Sequence, residues 1–487
     1  NITDKSGAFT DTVDGSTGTD TLDIDYTGVA DLGDFSTFTY DSSTATFTLT
    51  DANDGTINFK SIENLTVDDY AYTRVTDSSD NEEQAYWNST EKALYLYNSG
   101  TTGASLSSDL WQTTRTDQGE LSGLVKTDNV TIKGSASGDY FNLNVNRTDD
   151  YSGNWTINLG AGDDTLDAAA LKNGDSVDMG AGDDSVNLMI NSHTPTVANL
   201  SLVKLDGSTG TDTLSFLNFT NTAEISLSTG GATNFENILG SGGSETIKGD
   251  ANANILTGAG GADTLYGYGG NDVLAGSNRG MPTLAQVADW DTGDNDSWND
   301  SNNTGNNTLY GGAGNDKLYG GYFDDTLDGG TGTDTLSGGS GIDTFVIRTG
   351  DGSTTLADAN VITDFTNGTD IIAMDSVAYD DLTIAQGTGA YASHTLVRVT
   401  ATGEYLLIIQ NITASSSITA ADFSNTSTVP QTFTGTSGND TFVGGAGNDT
   451  FNGGAGSDEL YGHGGNDTFN ITDKSGAFTD TVDGSTG

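Results

Sequence analysis

From Gly240 onward single apolar residues recur in every ninth place, each set between a short polar run and a glycine-rich one. The chain there can be written in nines: GSGGSETIK, GDANANILT, GAGGADTLY and GYGGNDVLA. After an interruption it resumes from Gly311 as GGAGNDKLY, GGYFDDTLD, GGTGTDTLS and GGSGIDTFV. A further block from Gly435 reads GTSGNDTFV, GGAGNDTFN, GGAGSDELY and GHGGNDTFN. The consensus is G-G-x-G-x-D-x-U-x, with U standing for Leu, Phe or Ile. The pattern predicts a six-residue turn followed by a three-residue strand, whose eighth-position side chain points inward. Two nonapeptides make one coil, so like positions recur every eighteen residues.

The residue types in the turn carry a chemistry. Glycines let it visit positive φ and bring its carbonyls close together. The sixth-position Asp adds a hard carboxylate, and an all-oxygen donor set suits Ca²⁺ rather than zinc or copper. The eighteen-residue period pairs Asp316 with Asp334, Asp325 with Asp343, Asp440 with Asp458, and Asp449 with Asp467. It also pairs Asp263 with Glu245, Asp272 with Asn254, and Asn307 with Asp325; these three depart from the pattern and predict weaker sites or roll ends. Degenerate copies upstream contribute Asp20 and Asp212 (GSTGTDTL), Asp164 and Asp184 (GAGDD) and Asp139 (GSASGD). Asp164 and Asp184 stand twenty apart, so that coil carries two extra residues. The predicted metal ligands are therefore Asp20, Asp139, Asp164, Asp184, Asp212, Glu245, Asp263, Asp272, Asp316, Asp325, Asp334, Asp343, Asp440, Asp449, Asp458 and Asp467. The fold class expected is all-β: a parallel β-roll or β-solenoid with calcium-binding turns, interrupted by small β insertions.

Composition strengthens the need for a cation. The formal net charge is −53, from 69 acidic and 16 basic residues, and a compact state would repel itself without counter-ions. Nucleic acid and anionic membrane are disfavoured as partners by the same charge, and no apolar run reaches transmembrane length. There is no Cys, so disulfides do not staple the fold. Roughly ten Ca²⁺ ions, at the affinities of extracellular sites, would supply about +20. Binding and folding are then expected to be coupled.

With its twelve in-register nonapeptides, the chain resembles the RTX family of secreted proteins. The resemblance implies that the turns bind several Ca²⁺ between coils. It also implies export by a type I system and folding outside the cell, where calcium is plentiful.

Between the motifs the chain divides further. Residues 1–67 and 134–239 are expected as degenerate solenoid, sharing "GTDTL" leading to FKSIENLTV and to TNFENILGS, units that resemble spans of giant RTX adhesins. Residues 68–133 form an aromatic-rich β insertion containing Tyr70, Tyr72, Tyr86, Trp87, Tyr95, Tyr97 and Trp111, with Arg74, Lys92, Arg115, Lys126 and Lys133. Its aromatics make either a small core of their own or a contact surface for neighbouring copies or cell-surface glycans. The roll at 240–347 holds an acidic insertion, 277–303, read either as a solvated loop or as a further Ca²⁺ site or lateral contact. The segment 348–434 resembles the β-rich flank that closes RTX rolls, where its apolar strands would cover open edges. A second roll and the start of a next repeat occupy 435–487.

No catalytic constellation emerges, and the expectation is that the chain is not an enzyme. Its histidines are His193, His394 and His463; none lies in H-E-x-x-H, and there is no G-x-S-x-G elbow. Finally, Asn470–Gly487 repeats Asn1–Gly18 without a mismatch, 469 residues on, which reads as the period of a tandem array. The join falls inside a turn motif, so one period is expected to run into the next without a linker. Two functions follow: a self-associating extracellular filament, sheath, layer or matrix, or the stalk of a large adhesin whose binding tip lies elsewhere.

Overall fold

In a computed structural model the described residues are all but 1, 4–7, 27–28, 42, 76–84, 98–104, 107–120, 122–123, 125–126, 136–137, 144–152, 169–170, 172–173, 189–203, 217–223, 227–231, 277–304, 414–416, 473–477 and 485–487. The acidic insertion 277–303, His193, Trp111, Arg115 and Lys126 thus lie outside them. The fold is all-β, with short 3-10 turns, and most strand neighbours are parallel. The chain forms two compact units, Asn1–Phe219 with Ser226–Ile238, and Thr220–Ile225 with Leu239–Gly487.

In the first unit, strands of adjacent coils stack in two parallel sheets. One runs Val130–Lys133, Trp155–Asn158, Ser176–Asp178, Lys204–Asp206; the other runs Tyr140–Leu143, Thr165–Ala168, Ser185–Leu188, Thr213–Ser215. Alternation along each strand sends Ile157, Val177 and Leu205 inward from one sheet and Phe141, Leu166, Val186 and Leu214 from the other. The coil between Thr165 and its partner Ser185 does carry the two extra residues.

The start of this unit departs from a simple solenoid. Phe35–Asp41, Thr46–Asp51 and Thr56–Lys60 form an antiparallel meander, and Thr10–Asp14 adds in parallel to its last strand. Tyr70–Arg74, Ala85–Asn88 and Ala93–Leu96 continue antiparallel from Asn64–Val67. Both stretches close over one aromatic core rather than two: Phe38, Phe47 and Phe59 pack with Tyr86 and Tyr97, and Phe47 stacks on Phe59 at 5.0 Å. Tyr72, Tyr86, Trp87, Tyr95 and Tyr97 are all buried, so they form core rather than a contact surface. Their basic neighbours are engaged internally. Arg74 lies 4.8 Å over the Phe47 ring, Lys92 pairs with Asp128, and Lys133 bonds Tyr95 Oη at 2.9 Å.

In the second unit the nonapeptides build a regular two-faced roll. One face stacks Thr246–Lys248, Thr264–Gly269, Thr308–Ala313, Thr326–Thr331 and Thr344–Arg348. The other stacks Ile255–Thr257, Val273–Ala275, Lys317–Tyr322 and Thr335–Ser340. The eighth-position residues Ile247, Leu256, Leu265, Leu274, Leu309, Leu318, Leu327, Leu336 and Phe345 are all buried between the faces, as the pattern requires. Both sheets run on into the flank, through Ile371–Asp375 and Phe423–Asn425 on one side and Asn360–Ile362 and Tyr405–Ile409 on the other. An antiparallel pair, Thr395–Val399 and Leu382–Gln386, finishes the second sheet. A second roll stacks Thr432–Thr434, Thr450–Asn452 and Thr468–Asn470 on one face and Thr441–Val443, Glu459–Tyr461 and Thr481–Asp483 on the other. Phe433, Phe451 and Phe469 stack through it at 4.8 and 4.9 Å.

Candidate metal sites in the turns

The sixth-position carboxylates line up along the coils and are tied together by main-chain hydrogen bonds. In the roll, Asp272 N–H donates to Asp316 Oδ1 (2.7 Å) and Asp316 N–H to Asp334 Oδ1 (2.9 Å); Asn254 precedes them and Asn360 ends the row. On the other edge the row runs Glu245, Asp263, Asn307, Asp325, Asp343 and Asp370, each N–H donating to the next side chain. The second roll repeats the device in Gln431, Asp449, Asp467 and in Asp440, Asp458, Asp480. In the first unit Asp139, Asp164, Asp184 and Asp212 form one row ending on Glu236, and Asp20 N–H donates to Glu63 Oε2. Every predicted ligand therefore lies in such a row. The pairs predicted from the eighteen-residue period are neighbours, including Glu245 with Asp263 and Asn307 with Asp325.

The hydrogen bonds use one carboxylate oxygen and leave the other. The Oδ2 atoms of Asp20, Asp164, Asp184, Asp212, Asp263, Asp272, Asp316, Asp325, Asp334, Asp343 and Asp467 are buried without a hydrogen-bond partner. Asp139, Asp440 and Asp449 differ, because the second-position N–H of their own turn (Ser135, Thr436, Gly445) donates to Oδ2. In the roll a first-position glycine makes room for the buried Oδ2: a Cβ on Gly311, Gly320, Gly329 or Gly338 would fall on the carboxylate of its own turn.

Burial without a counter-charge raises several of these acids, those of the first roll among them. The carboxyls of Asp263 and Asp325 are pushed up to about 8, those of Asp272, Asp334 and Asp343 to about 7, and Asp316 to about 6. In each case loss of solvent is the largest cause, and the hydrogen bond from the preceding coil opposes it. Asp164 and Asp212 behave alike, at about 8 and about 7. Two cations of the second unit are placed elsewhere: Lys248 pairs with Glu224, and Arg348 grips Asp328 through both carboxylate oxygens while also reaching Asp351 and Asp375.

These donors fit a hard divalent cation. They are all oxygens, anionic, buried, and missing a partner. Among the described residues no group of three or more acidic, His or Cys side chains gathers at one point. An ion between coils would accordingly take carboxylates from neighbouring turns and complete its shell from main-chain carbonyls. What it supplies is the positive charge that this interior lacks.

Two features lay beyond what the motif predicts. Fifth-position side chains form a second row, in which Thr333 N–H donates back to Asn315 Oδ1, Asn315 N–H to Asn271 Oδ1, and Ile342 N–H to Asp324 Oδ1. The row ends are also new: Glu63, Glu236, Asn360, Asp370, Gln431 and Asp480 accept or donate where nonapeptides give way to other sequence. A signal for the first two was present, since both belong to the repeated E-N that follows GTDTL.

The histidines inside the described residues have structural tasks. His394 Nδ1 accepts from Asn411 N–H at 3.1 Å, and His463 sits in a turn with its ring largely buried, which lowers its pKa.

Such rows of turns define a calcium-binding parallel β-roll protein. The RTX calcium-binding nonapeptide repeat matches at residues 239–274, 303–322, 317–345 and 434–469, the segments that build the two rolls. The chain carries RTX calcium-binding nonapeptide repeats in those segments, and repeats of this kind bind calcium. No curated protein matches the chain.

Proposed function

We propose that the chain is a calcium-stabilised structural repeat of a secreted protein, acting outside the cell in a filament, sheath, layer or matrix built by tandem repetition and self-association. The observation that carries this reading is the row of buried, half-satisfied carboxylates. A coil of this kind gains rigidity from each bound cation, and its calcium requirement suits a calcium-rich exterior. RTX repeat proteins are typically exported by type I secretion, and no described helix is long and apolar enough to cross a membrane. The role is mechanical rather than catalytic.

The second reading, a stalk that holds an adhesive tip away from the cell, draws support from the charge of −53, which opposes close lateral packing of copies. Electron microscopy of the native material in calcium separates the two. Laterally associated strands with a repeat-length axial period support the polymer; single threads ending in a distinct head support the stalk. Persistence of full β-structure after excess chelator would defeat both.

A further inference from the structure

One eighteen-residue sequence occurs twice and is placed differently each time. At the N-terminal end Ile2 is 6 % exposed, and Phe9 and Val13 pack against the aromatic core. At the C-terminal end the equivalent Ile471, Phe478 and Val482 are 42 %, 42 % and 44 % exposed. The residues are identical, so their neighbours make the difference. In the first copy Ile2–Thr3 pairs with Ile24 and Asp25, and Thr10–Asp14 pairs with Thr56–Lys60. In the second, Thr481–Asp483 pairs with Glu459–Tyr461, and Asn470 with Asn452. The first copy is thus paired on the side that faces later sequence, and the second on the side that faces earlier sequence. Together they describe one strand set with a neighbour on each side.

The registers agree. Ile2 meets Ile24 at an offset of 22, Glu459 meets Thr481 at 22, and Asp458 N–H bonds Asp480 at 22. Applying the same step from Asp467 lands on the equivalent of Asp20, whose own N–H already bonds Glu63.

We infer that the C-terminal edge, strands Thr468–Asn470 and Thr481–Asp483 with Ile471, Phe478 and Val482, is a docking surface for residues 19–67 of a second copy of this chain. Thr468–Asn470 pairs in parallel with Thr21–Asp23 of the following copy, and Thr481–Asp483 with Asn58–Lys60. The carboxylate row passes from Asp467 to that copy's Asp20, and the fifth-position row from Asn466 to its Thr19. The junction is a continued sheet, and an open, partly apolar edge is covered by the element it matches. This rests on the structural-repeat reading, which it makes specific.

The test joins two copies at the 469-residue offset, so that 1–469 runs directly into 1–487. Because the chain has no Cys, Thr468→Cys in the first copy and Thr21→Cys in the second report on proximity, both sites being exposed on their strands. Adjacent strands lie about 4.8 Å apart, within disulfide reach. In calcium the pair is expected to oxidise fully and well ahead of a control pairing Thr468→Cys with Ser43→Cys, a turn residue. In the unmodified joined chain, amides of 478–483 at the join should exchange at least about tenfold more slowly than in the single chain. Oxidation no faster than the control, or unchanged exchange, overturns the junction. If the disulfide and the protection appear while microscopy shows no polymer, the junction stands and the filament reading fails. Polymers that form without either signal overturn the junction and leave the filament reading standing.

Discussion

The main-chain N–H of Asp316 donates to Oδ1 of Asp334 at 2.9 Å, while Oδ2 of Asp334 is buried with no partner. One oxygen holds the coils in register and the other is left for a cation. The two tasks can be separated by substitution.

Asp334→Asn retains an acceptor for Asp316 N–H but removes the charge, whereas Asp334→Ala leaves that buried N–H unsatisfied, at about 1–3 kcal/mol. In chelator, Asp334→Asn should be at least as stable as the wild type and Asp334→Ala less so. In saturating calcium both should fall below the wild type. Urea midpoints with and without calcium give the comparison. An Asn variant as calcium-responsive as the wild type would remove Asp334 from the site.

The raised carboxyls fix the sign of a pH effect. Asp316 at about 6, Asp272, Asp334 and Asp343 at about 7, and Asp263 and Asp325 at about 8 all exceed the unfolded value, which is about 3.9. Between these limits the metal-free folded chain binds more protons than the unfolded one. Its stability is therefore greatest below about pH 4 and is lost as pH rises through about 6 to 8. With chelator present, circular dichroism should show β-structure growing as the solution is acidified from about pH 8.5 to 5. With calcium the trend reverses, because protons compete for the same oxygens. A metal-free signal that weakens with acid would contradict the buried-row account.

Gly332 (φ +143°) shows how tightly coils stack: a Cβ there would fall on the Gly314 carbonyl of the preceding coil. Gly350 (φ +101°) has the same kind of backbone but open space around it. Gly332→Ala should cost about 1–3 kcal/mol more than Gly350→Ala. Equal losses in calcium-dependent unfolding would mean that backbone strain, not stacking, sets the requirement.

Arg348 grips Asp328 with both terminal nitrogens, at 2.9 and 2.6 Å, while also meeting Asp351 and Asp375. Arg348→Ala should lower stability by on the order of 2 kcal/mol, less than for a fully buried pair because the side chain is 29 % exposed. Arg348→Lys should recover little, since one ammonium cannot serve the planar bidentate contact. Chemical unfolding of the two variants checks both statements.

The rolls were legible because the period and the chemistry coincide. A fixed step of eighteen residues places Asp325 beside Asp343, and the apolar eighth position at the middle of each three-residue strand marks the inward side chain. Sheet direction was harder to read. Phe47–Leu49 and Ile57–Phe59 alternate as any half-buried strand does, and alternation does not tell an antiparallel meander from coils. The fifth-position row is not legible in the sequence because Asn, Asp and Ser all serve as acceptors there, so no single letter recurs. Row ends such as Asn360 and Asp370 lie outside the nonapeptide altogether, and their partners depend on how the flank folds back.

The two rows run in opposite senses. Sixth-position N–H groups donate forward, as Asp325 does to Asp343, and fifth-position groups donate backward, as Ile342 does to Asp324. Where the fifth position carries an acceptor, the seam between coils thus receives one donor and one acceptor from either side. Adding or deleting a whole coil leaves that balance unchanged. Such a chain can vary in length in whole-coil steps without redesigning any seam, which makes length itself an accessible evolutionary variable.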